Sequence, residues 1–487
     1  MTKDLTQGNV WKVIITFSIP LLISSIVQQL YNAADCAIVG NLDNATGLAA
    51  LGATTPIVHF VVGICTGAGM GCTVVISKLF GERKFHKLRA AVSTCVIALG
   101  VLGIAVSLIG ILMAGQFMTW LGVNKDVFDG AKGYLAIYCV GAFPMLIYNA
   151  AAAAFTGMGD SRRPLYFLIA SSVLNVILDI IAVGPMHRSV RGAAWATVIS
   201  QFFVAAIAII SIVLKMKKFT LELQARGEAD EQAADVICHP EDDNALQDSS
   251  TDRKRWFDRD IFAQMSKVAI PCIFQQISVS IGHILIQRLV NTFPTSVMAG
   301  YEVGAKIVNF NYGCYNAMAT GLMSFAGQNF GAKRADRCRQ GLKATIVICA
   351  AFSSLIAILG NIFSDQLVSM FVNTSEANIE EVIIVGANYI KIVLIDLIFV
   401  SVALSLGGLM RGVGDVKVFV IATIADLGTR VVMCYVLTEV MNSYLGLYWA
   451  WYAGMIVDIV ICFAWYFLQC RKGKLCYDNC CKMTAKK

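Results

Sequence analysis

Charged residues are scarce in this chain. Only 15% of its 487 residues are Asp, Glu, Lys or Arg, against about 25% in ordinary soluble domains, and 57% are apolar. A Walker motif is missing, which disfavours ATP-driven pumping. No nucleophile–base pair or metal-ligand cluster stands out, and the five histidines are scattered: His59, His86, His187, His239 and His283. We therefore predict a membrane protein that is not an enzyme and holds no metal or cofactor.

Long apolar runs account for most of the sequence. A helix needs about 20 predominantly apolar residues to cross the hydrocarbon core of a bilayer. Twelve such runs are present, and they predict twelve transmembrane helices, six in each half of the chain. Their approximate spans are 13–35, 48–76, 90–113, 131–155, 165–183, 192–214, 262–290, 297–326, 342–361, 383–409, 418–440 and 447–469.

The second half of the sequence repeats the first at an offset of roughly 250 residues. The repeated motifs are Ile19-Pro20 with Ile270-Pro271, Phe80-Gly81 with Phe330-Gly331, and Gly157-Met158-Gly159-Asp160 with Gly412-Val413-Gly414-Asp415. Six is an even number of spans, so both halves insert with the same orientation. The sequence thus predicts an all-α membrane protein with two parallel six-helix repeats, an N-lobe and a C-lobe, around a central cleft.

Lysine and arginine are distributed unevenly between the two sides of this topology. The segments on the side of the N-terminus carry 30 of the 39 basic residues, and the opposite loops carry only Lys125, Arg188 and Arg191. The positive-inside rule then places both termini in the cytoplasm of a multi-pass protein of the cell membrane. The net charge of +7 follows from this bias and from contact with anionic lipid, so no nucleic-acid partner is predicted.

The predicted lobes are joined by a polar segment and followed by a short tail. We place the N-lobe at 1–214, a cytoplasmic linker at 215–260, the C-lobe at 261–470 and a cytoplasmic tail at 471–487. The middle of the linker is rich in acidic residues, Ala and Gln, which predicts a disordered or partly helical tether. The tail cysteines lack a regular zinc spacing, and reduced thiols are favoured over a zinc site: Cys470, Cys476, Cys480 and Cys481.

Two aspartates interrupt the apolar spans of the N-lobe. Asp35 lies 15 residues after Pro20, and Asp179 lies 15 residues after Pro164. Each carboxylate is therefore about 22 Å along its helix, at a similar depth in the membrane. Buried acids are costly, so the pair predicts a site that shares a proton or holds Na⁺.

Three further polar residues can complete this site. Asn175 lies four residues before Asp179 on the same helical face, while Thr197 and Tyr134 enter from neighbouring spans. Taken singly, each of the three is better explained by a hydrogen bond between helices. The aspartate pair is better explained by function, because an unpaired anion has no inexpensive structural use there.

The C-lobe carries a different set of charges. Asp426 and Arg430 are spaced i,i+4 on one helix and predict a structural ion pair. Asp396 has no acidic or basic neighbour within four residues on its own span, which makes it the candidate for a second ion site.

Several of these motifs resemble those of the MATE (multidrug and toxic compound extrusion) transporters, along nearly the whole chain. The motifs are Ile19-Pro20, Asp35-Cys36-Ala37-Ile38-Val39-Gly40, Lys78-Leu79-Phe80-Gly81, Gly157-Met158-Gly159-Asp160-Ser161-Arg162 and Asn175-Val176-Ile177-Leu178-Asp179. The resemblance is to the DinF-like branch. It implies multidrug efflux of amphipathic, often cationic small molecules by alternating access, in antiport with H⁺ or Na⁺.

The same resemblance implies roles for particular residues. The cation-coupling residues of that branch map onto Asp35, Asn175, Asp179 and Thr197, and cavity-lining positions map onto Tyr134 and Asn149. The expected partners are a small-molecule substrate and the lipid bilayer, and the expected oligomeric state is a monomer. The alternatives are a lipid-linked precursor flippase of the same superfamily, or a membrane enzyme or channel.

The topology can be tested by labelling single cysteines in intact cells. We expect an impermeant thiol reagent to leave a cysteine near position 235 unlabelled, because the linker and both termini are predicted to be cytoplasmic. A cysteine near position 188 should be labelled from outside. Labelling of position 235 in intact cells would show that the orientation is inverted.

Overall fold

The computed structural model describes residues 4–42, 45–183, 189–234, 256–371, 379–473 and 475, which form helices joined by short turns. Its helices in the first half are α1 Val10–Leu42, α2 Ala45–Gly81, α3 Phe85–Trp120, α4 Lys125–Val140, α5 Ala142–Gly157, α6 Arg162–Val183 and α7 Ser189–Ala234. Those in the second half are α8 Arg259–Val290, α9 Thr295–Gly331, α10 Ala335–Ile362, α11 Ser364–Ser369, α12 Ile379–Gly412, α13 Val416–Met441 and α14 Leu445–Arg471.

The predicted all-α fold class is confirmed. Eleven stretches within the described residues are long and apolar enough to cross a membrane. The remaining predicted span, 297–326, lies within α9, a helix of 37 residues that carries the charged Glu302 and Lys306. Helix α7 continues to Ala234, so the first part of the predicted linker is helical. Most of the cysteine-rich tail lies outside the described residues.

The predicted span 131–155 consists of two helices that meet at Gly141. Pro144 lies in the first turn of α5 and has no backbone N–H, so it cannot continue the hydrogen-bond ladder of α4. The neighbouring N–H of Phe143 donates instead to Ser107 Oγ on α3, at 3.1 Å. A polar side chain from the adjacent helix thus satisfies a donor that the break releases within the membrane.

The two largest hydrophobic cores among the described residues each take residues from the other half of the chain. The first turns of α1, with Val10, Ile14 and Phe17, belong to the core of the second half. The first turns of α8, with Ile261 and Met265, belong to the core of the first half. The two halves are therefore linked by an exchange of their first helical turns.

The exchanged turns lie at the same end of the bundle as the turns at residues 82–84, 158–161, 332–334 and 413–415. We call this the basic end, because lysines or arginines flank each of these turns. Here the last turns of α2 and α9 cross. A Cβ atom on Gly81 would overlap the carbonyl group of Gln328, and one on Gly331 would overlap that of Lys78. The repeated Phe-Gly motif therefore marks a backbone-to-backbone crossing that closes the basic end.

The repeated Gly-x-Gly-Asp motif forms an equivalent turn in each half. Gly159 and Gly414 have φ angles of 80° and 85°, which favour glycine. The following aspartate binds the last helix of its own half. Asp160 pairs with Lys215 of α7 at 3.3 Å, while Asp415 accepts hydrogen bonds from α14. The motif therefore ties the ends of neighbouring helices together.

The N-terminal segment 4–9 lies across the basic end. The Leu5 side chain is fully buried, and its N–H donates to Gln328 Oε1 at 3.0 Å. The buried Gln328 amide in turn donates to the carbonyl of Gly157 at 2.8 Å. Asn329 donates to the Leu5 carbonyl at 3.2 Å. One buried glutamine thus joins the N-terminal segment, α5 and α9.

Replacing Gly81 with alanine tests this crossing. The added methyl group would overlap the Gln328 backbone, so we expect Gly81→Ala to part α2 from α9 and open the basic end. A cysteine placed at Ser77 should then react faster, by about tenfold or more, with a soluble thiol reagent. Gly428→Ala is the control, since nothing lies within 4 Å of its new Cβ. Unchanged reactivity in Gly81→Ala would show that the crossing does not govern access.

Candidate functional site

Helix α6 buries its polar residues and exposes its apolar ones. Asn175 and Asp179 are 1% and 0% exposed, whereas Val173 and Ile177 are 56% and 50% exposed. This is the reverse of a helix in a soluble protein, and it follows from a lipid solvent that favours apolar side chains on the outside. The exposed face of α6 suits the bilayer, and its buried face carries a carboxylate and an amide.

The buried face of α6 packs against α7. The Asn175 amide donates to Thr197 Oγ1 at 3.3 Å, and Thr197 is 5% exposed. Asn175 Oδ1 accepts no hydrogen bond from the described residues. Asp179 lies one turn further along the same face of α6. Three of the four predicted cation-coupling residues therefore lie in one buried polar cluster with an oxygen available for a cation or a donor.

The fourth predicted residue, Asp35, lies on α1, and α1 packs alongside α6. Its side chain lies outside the described residues, so the carboxylate pair with Asp179 stays a prediction.

The two predicted cavity-lining residues lie on either side of the break between α4 and α5. Tyr134 is 4% exposed, and its ring stacks on Tyr138 with centroids 6.0 Å apart. The amide nitrogen of Asn149 donates to the Met145 carbonyl at 2.8 Å, and its other face lies against Gly69 of α2. Their role towards a substrate stays a prediction.

The Asp426–Arg430 ion pair is present in the structure. Nη2 of Arg430 lies 2.7 Å from each carboxylate oxygen of Asp426, and both side chains are almost fully buried. The guanidinium also lies 4.1 Å from the centre of the Trp451 ring. On α14, Gly454 provides the space for this carboxylate, since a Cβ there would overlap it. Each charge thus has an opposite charge beside it.

Two more acids lie near this pair. Asp396 on α12 is fully buried, and neither of its oxygens has a hydrogen-bond partner among the described residues. Asp458 on α14 accepts a hydrogen bond from Cys462 Sγ at 3.3 Å. Both interact electrostatically with Asp426 and Arg430. Asp458 was missed in the sequence analysis, although a lone acid in the span 447–469 was a visible signal.

Comparison with known proteins identifies the family to which this architecture belongs. The MatE family model matches residues 20–181 and 271–436, so it covers both halves of the chain. The chain belongs to the MatE family. This confirms the resemblance to the MATE transporters, and the family consists of transporters rather than enzymes.

Relatives and solved structures match along almost the full length. Probable multidrug resistance protein YoeA of Bacillus subtilis is 22% identical over 98% of this chain and 97% of its own. Multidrug export protein MepA of Staphylococcus haemolyticus is 20% identical over 97% and 96%. A MATE family transporter in an outward-facing conformation superposes with a TM-score of 0.82, at 20% identity over 96% of this chain and 97% of that one.

Two further relatives are not described as multidrug exporters. The FAD transporter of Shewanella oneidensis is 22% identical over 75% of each chain. A transporter of Pyrococcus furiosus, described as having a binding pocket of reversed polarity, has a TM-score of 0.81 at 21% identity over 97% of this chain and 98% of that one. The relatives to which this chain is similar therefore do not all have the same named substrate.

The ion pair of the second half can be tested through stability. We expect Asp426→Asn to cost about 3–5 kcal/mol, because it leaves the Arg430 guanidinium buried without its counter-ion. The double variant Asp426→Asn/Arg430→Gln should recover most of the expression and melting temperature. Asp365→Asn is the control, since its pair with Lys391 is exposed. A double variant as unstable as the single one would contradict a purely pairwise role.

Proposed function

We propose that this chain is a secondary active antiporter that exports amphipathic, often cationic small molecules in exchange for H⁺ or Na⁺. Family membership and the names of its full-length relatives support multidrug efflux. The single observation that supports ion coupling is the cluster of Asn175, Asp179 and Thr197. These side chains are buried between α6 and α7, whose opposite faces are apolar and exposed.

The coupling step requires a charge whose environment differs between two states of the transporter. A proton or cation shifts such an equilibrium only if it binds one state more tightly than the other. The Asp179 carboxylate can change its charge by taking up a proton, or it can share a cation with Asn175 Oδ1, which lies one turn away. We place the coupling event here, in the first half, with Asp35 as the second acid.

The second half offers less scope for coupling through its ion pair. Asp426 already has a charged partner at 2.7 Å, so it gains little from a proton or a cation. Asp396, which lacks a hydrogen-bond partner among the described residues, is our candidate for a second ion site. We further propose that the basic end faces the cytoplasm of the cell membrane, that both termini lie there, and that the working unit is a monomer.

Reconstituted vesicles test this function directly. The purified chain should export a fluorescent organic cation when a pH gradient or a Na⁺ gradient is imposed separately, and only the coupling ion should support transport. Flavin nucleotide in place of the organic cation tests the substrate class of the FAD-transporting relative. Transport of both compounds without any gradient would contradict antiport.

Replacing the buried acids tests the location of coupling. We expect Asp179→Asn or Asp35→Asn to reduce gradient-driven efflux by a hundredfold or more while insertion is preserved, since Asn keeps the size and removes the charge. Asp336→Asn, at an exposed acid, should transport normally. If Asp396→Asn uncouples transport as fully as Asp179→Asn, the second half holds an essential ion site and the assignment to the first half is wrong.

A further inference from the structure

A groove runs along the lipid-facing surface of the first half, between α3 and α7. The two helices each pack against α5 rather than against one another, which leaves a cleft of about 530 Å³ between them. Its walls are apolar, with Val92 and Val96 from α3 and Ile209 and Val213 from α7. Val213 is 59% exposed, so the groove opens sideways to the bilayer and not into the space between the two halves.

The polarity of the groove changes along its length. Arg89 of α3 and Lys217 of α7 lie at the basic end, and both are exposed. From these two residues the lining continues for eight positions on each helix, to Ile97 and Ile209, which is about 12 Å. No acidic residue lies among the described lining residues. The groove therefore has a positively charged mouth and an apolar interior.

Trp256 stands at the mouth of the groove. It is 76% exposed, at the point where the chain enters α8. Tryptophan is enriched at the level of the lipid headgroups, because its ring is apolar while its N–H can donate a hydrogen bond. The mouth thus combines two cations with an indole ring at one level of the membrane.

We propose that this groove binds an anionic phospholipid from the leaflet at the basic end. The phosphate would lie between Arg89 and Lys217, beneath the Trp256 ring, and an acyl chain would follow the apolar wall. Charge complementarity favours an anionic headgroup. A zwitterionic headgroup would add its own positive charge to a mouth that already has two cationic side chains. The length of the apolar wall suits the upper part of an acyl chain.

The bound lipid would also stabilise a contact between the two halves. Two residues after Trp256, the N–H of Asp258 donates to Thr94 Oγ1 at 2.9 Å, and Asp258 caps the first turn of α8. Thr94 lies on α3, beside the groove-lining Ser93. A lipid in contact with both α3 and Trp256 would hold the start of α8 in place and so stabilise the closed basic end. This consequence depends only on the binding site and not on the identity of the exported substrate.

Fluorescence quenching by brominated lipids tests the site in the full chain. In nanodiscs of phosphatidylcholine with a minor fraction of brominated phosphatidylglycerol, we expect strong quenching of the emission that Trp256→Phe removes. Brominated phosphatidylcholine at the same fraction should quench it much less. Each basic residue near the headgroup contributes roughly a fivefold factor, so the preference for the anionic lipid should be about 25-fold.

Charge-removal variants identify the residues responsible. Arg89→Gln/Lys217→Gln should lose the preference, whereas Arg162→Gln/Lys417→Gln, which removes two exposed charges elsewhere at the basic end, should keep it. Equal quenching by both lipids in the native chain, or an unchanged preference in the Arg89/Lys217 variant, would overturn the proposal. If free glycerol phosphate abolishes the preference, the site recognises a soluble phosphate and not a membrane lipid, which would overturn it equally.

Discussion

The crossing of α2 and α9 is the contact on which the arrangement of the two halves depends. Because Gly81 and Gly331 have no side chains, the backbones of the two helices approach each other directly. Small residues permit the same close approach in many membrane helix pairs, where van der Waals packing replaces the hydrophobic effect as the driving force. The turns of the Gly-x-Gly-Asp motif, the buried Gln328 and the N-terminal segment all lie around this crossing. Any movement that opens the basic end must separate these groups together.

The lipid solvent explains the distribution of polar residues. In water, the exposed face of α6 would be polar, but in this chain it is apolar and the buried face carries Asn175 and Asp179. The two halves treat their buried charges differently. The second half neutralises Arg430 with Asp426, whereas the first half places a carboxylate beside amide and hydroxyl groups. The duplicated architecture thus has two distinct electrostatic centres, and the one in the second half is built around an ion pair.

Much of the fold could be predicted from the sequence, because span length and a repeat of motifs depend on local composition. The break at Gly141 was not predicted, although Pro144 was a visible signal for it. Contacts between distant segments could not be predicted. Gln328 joins Leu5 and Gly157, which are far apart in the chain, and nothing in its local sequence indicates a bridging role. The resemblance implied that Asn175 and Thr197 belong to one site, but not that they share a hydrogen bond. The groove between α3 and α7 was not predicted, since it depends on how two helices pack on a third.

The exchange of first turns between the halves has a consequence for how the protein is made. The core of the first half includes Ile261 and Met265, which are synthesised only after the polar segment that follows α7. The six spans of the first half can therefore enter the membrane while their core still lacks these two residues. In the same way, the first turns of α1 must wait for α9 and α10 before they find their packing partners. Neither half supplies all the residues of its own core, so we expect the two halves to complete their folding together.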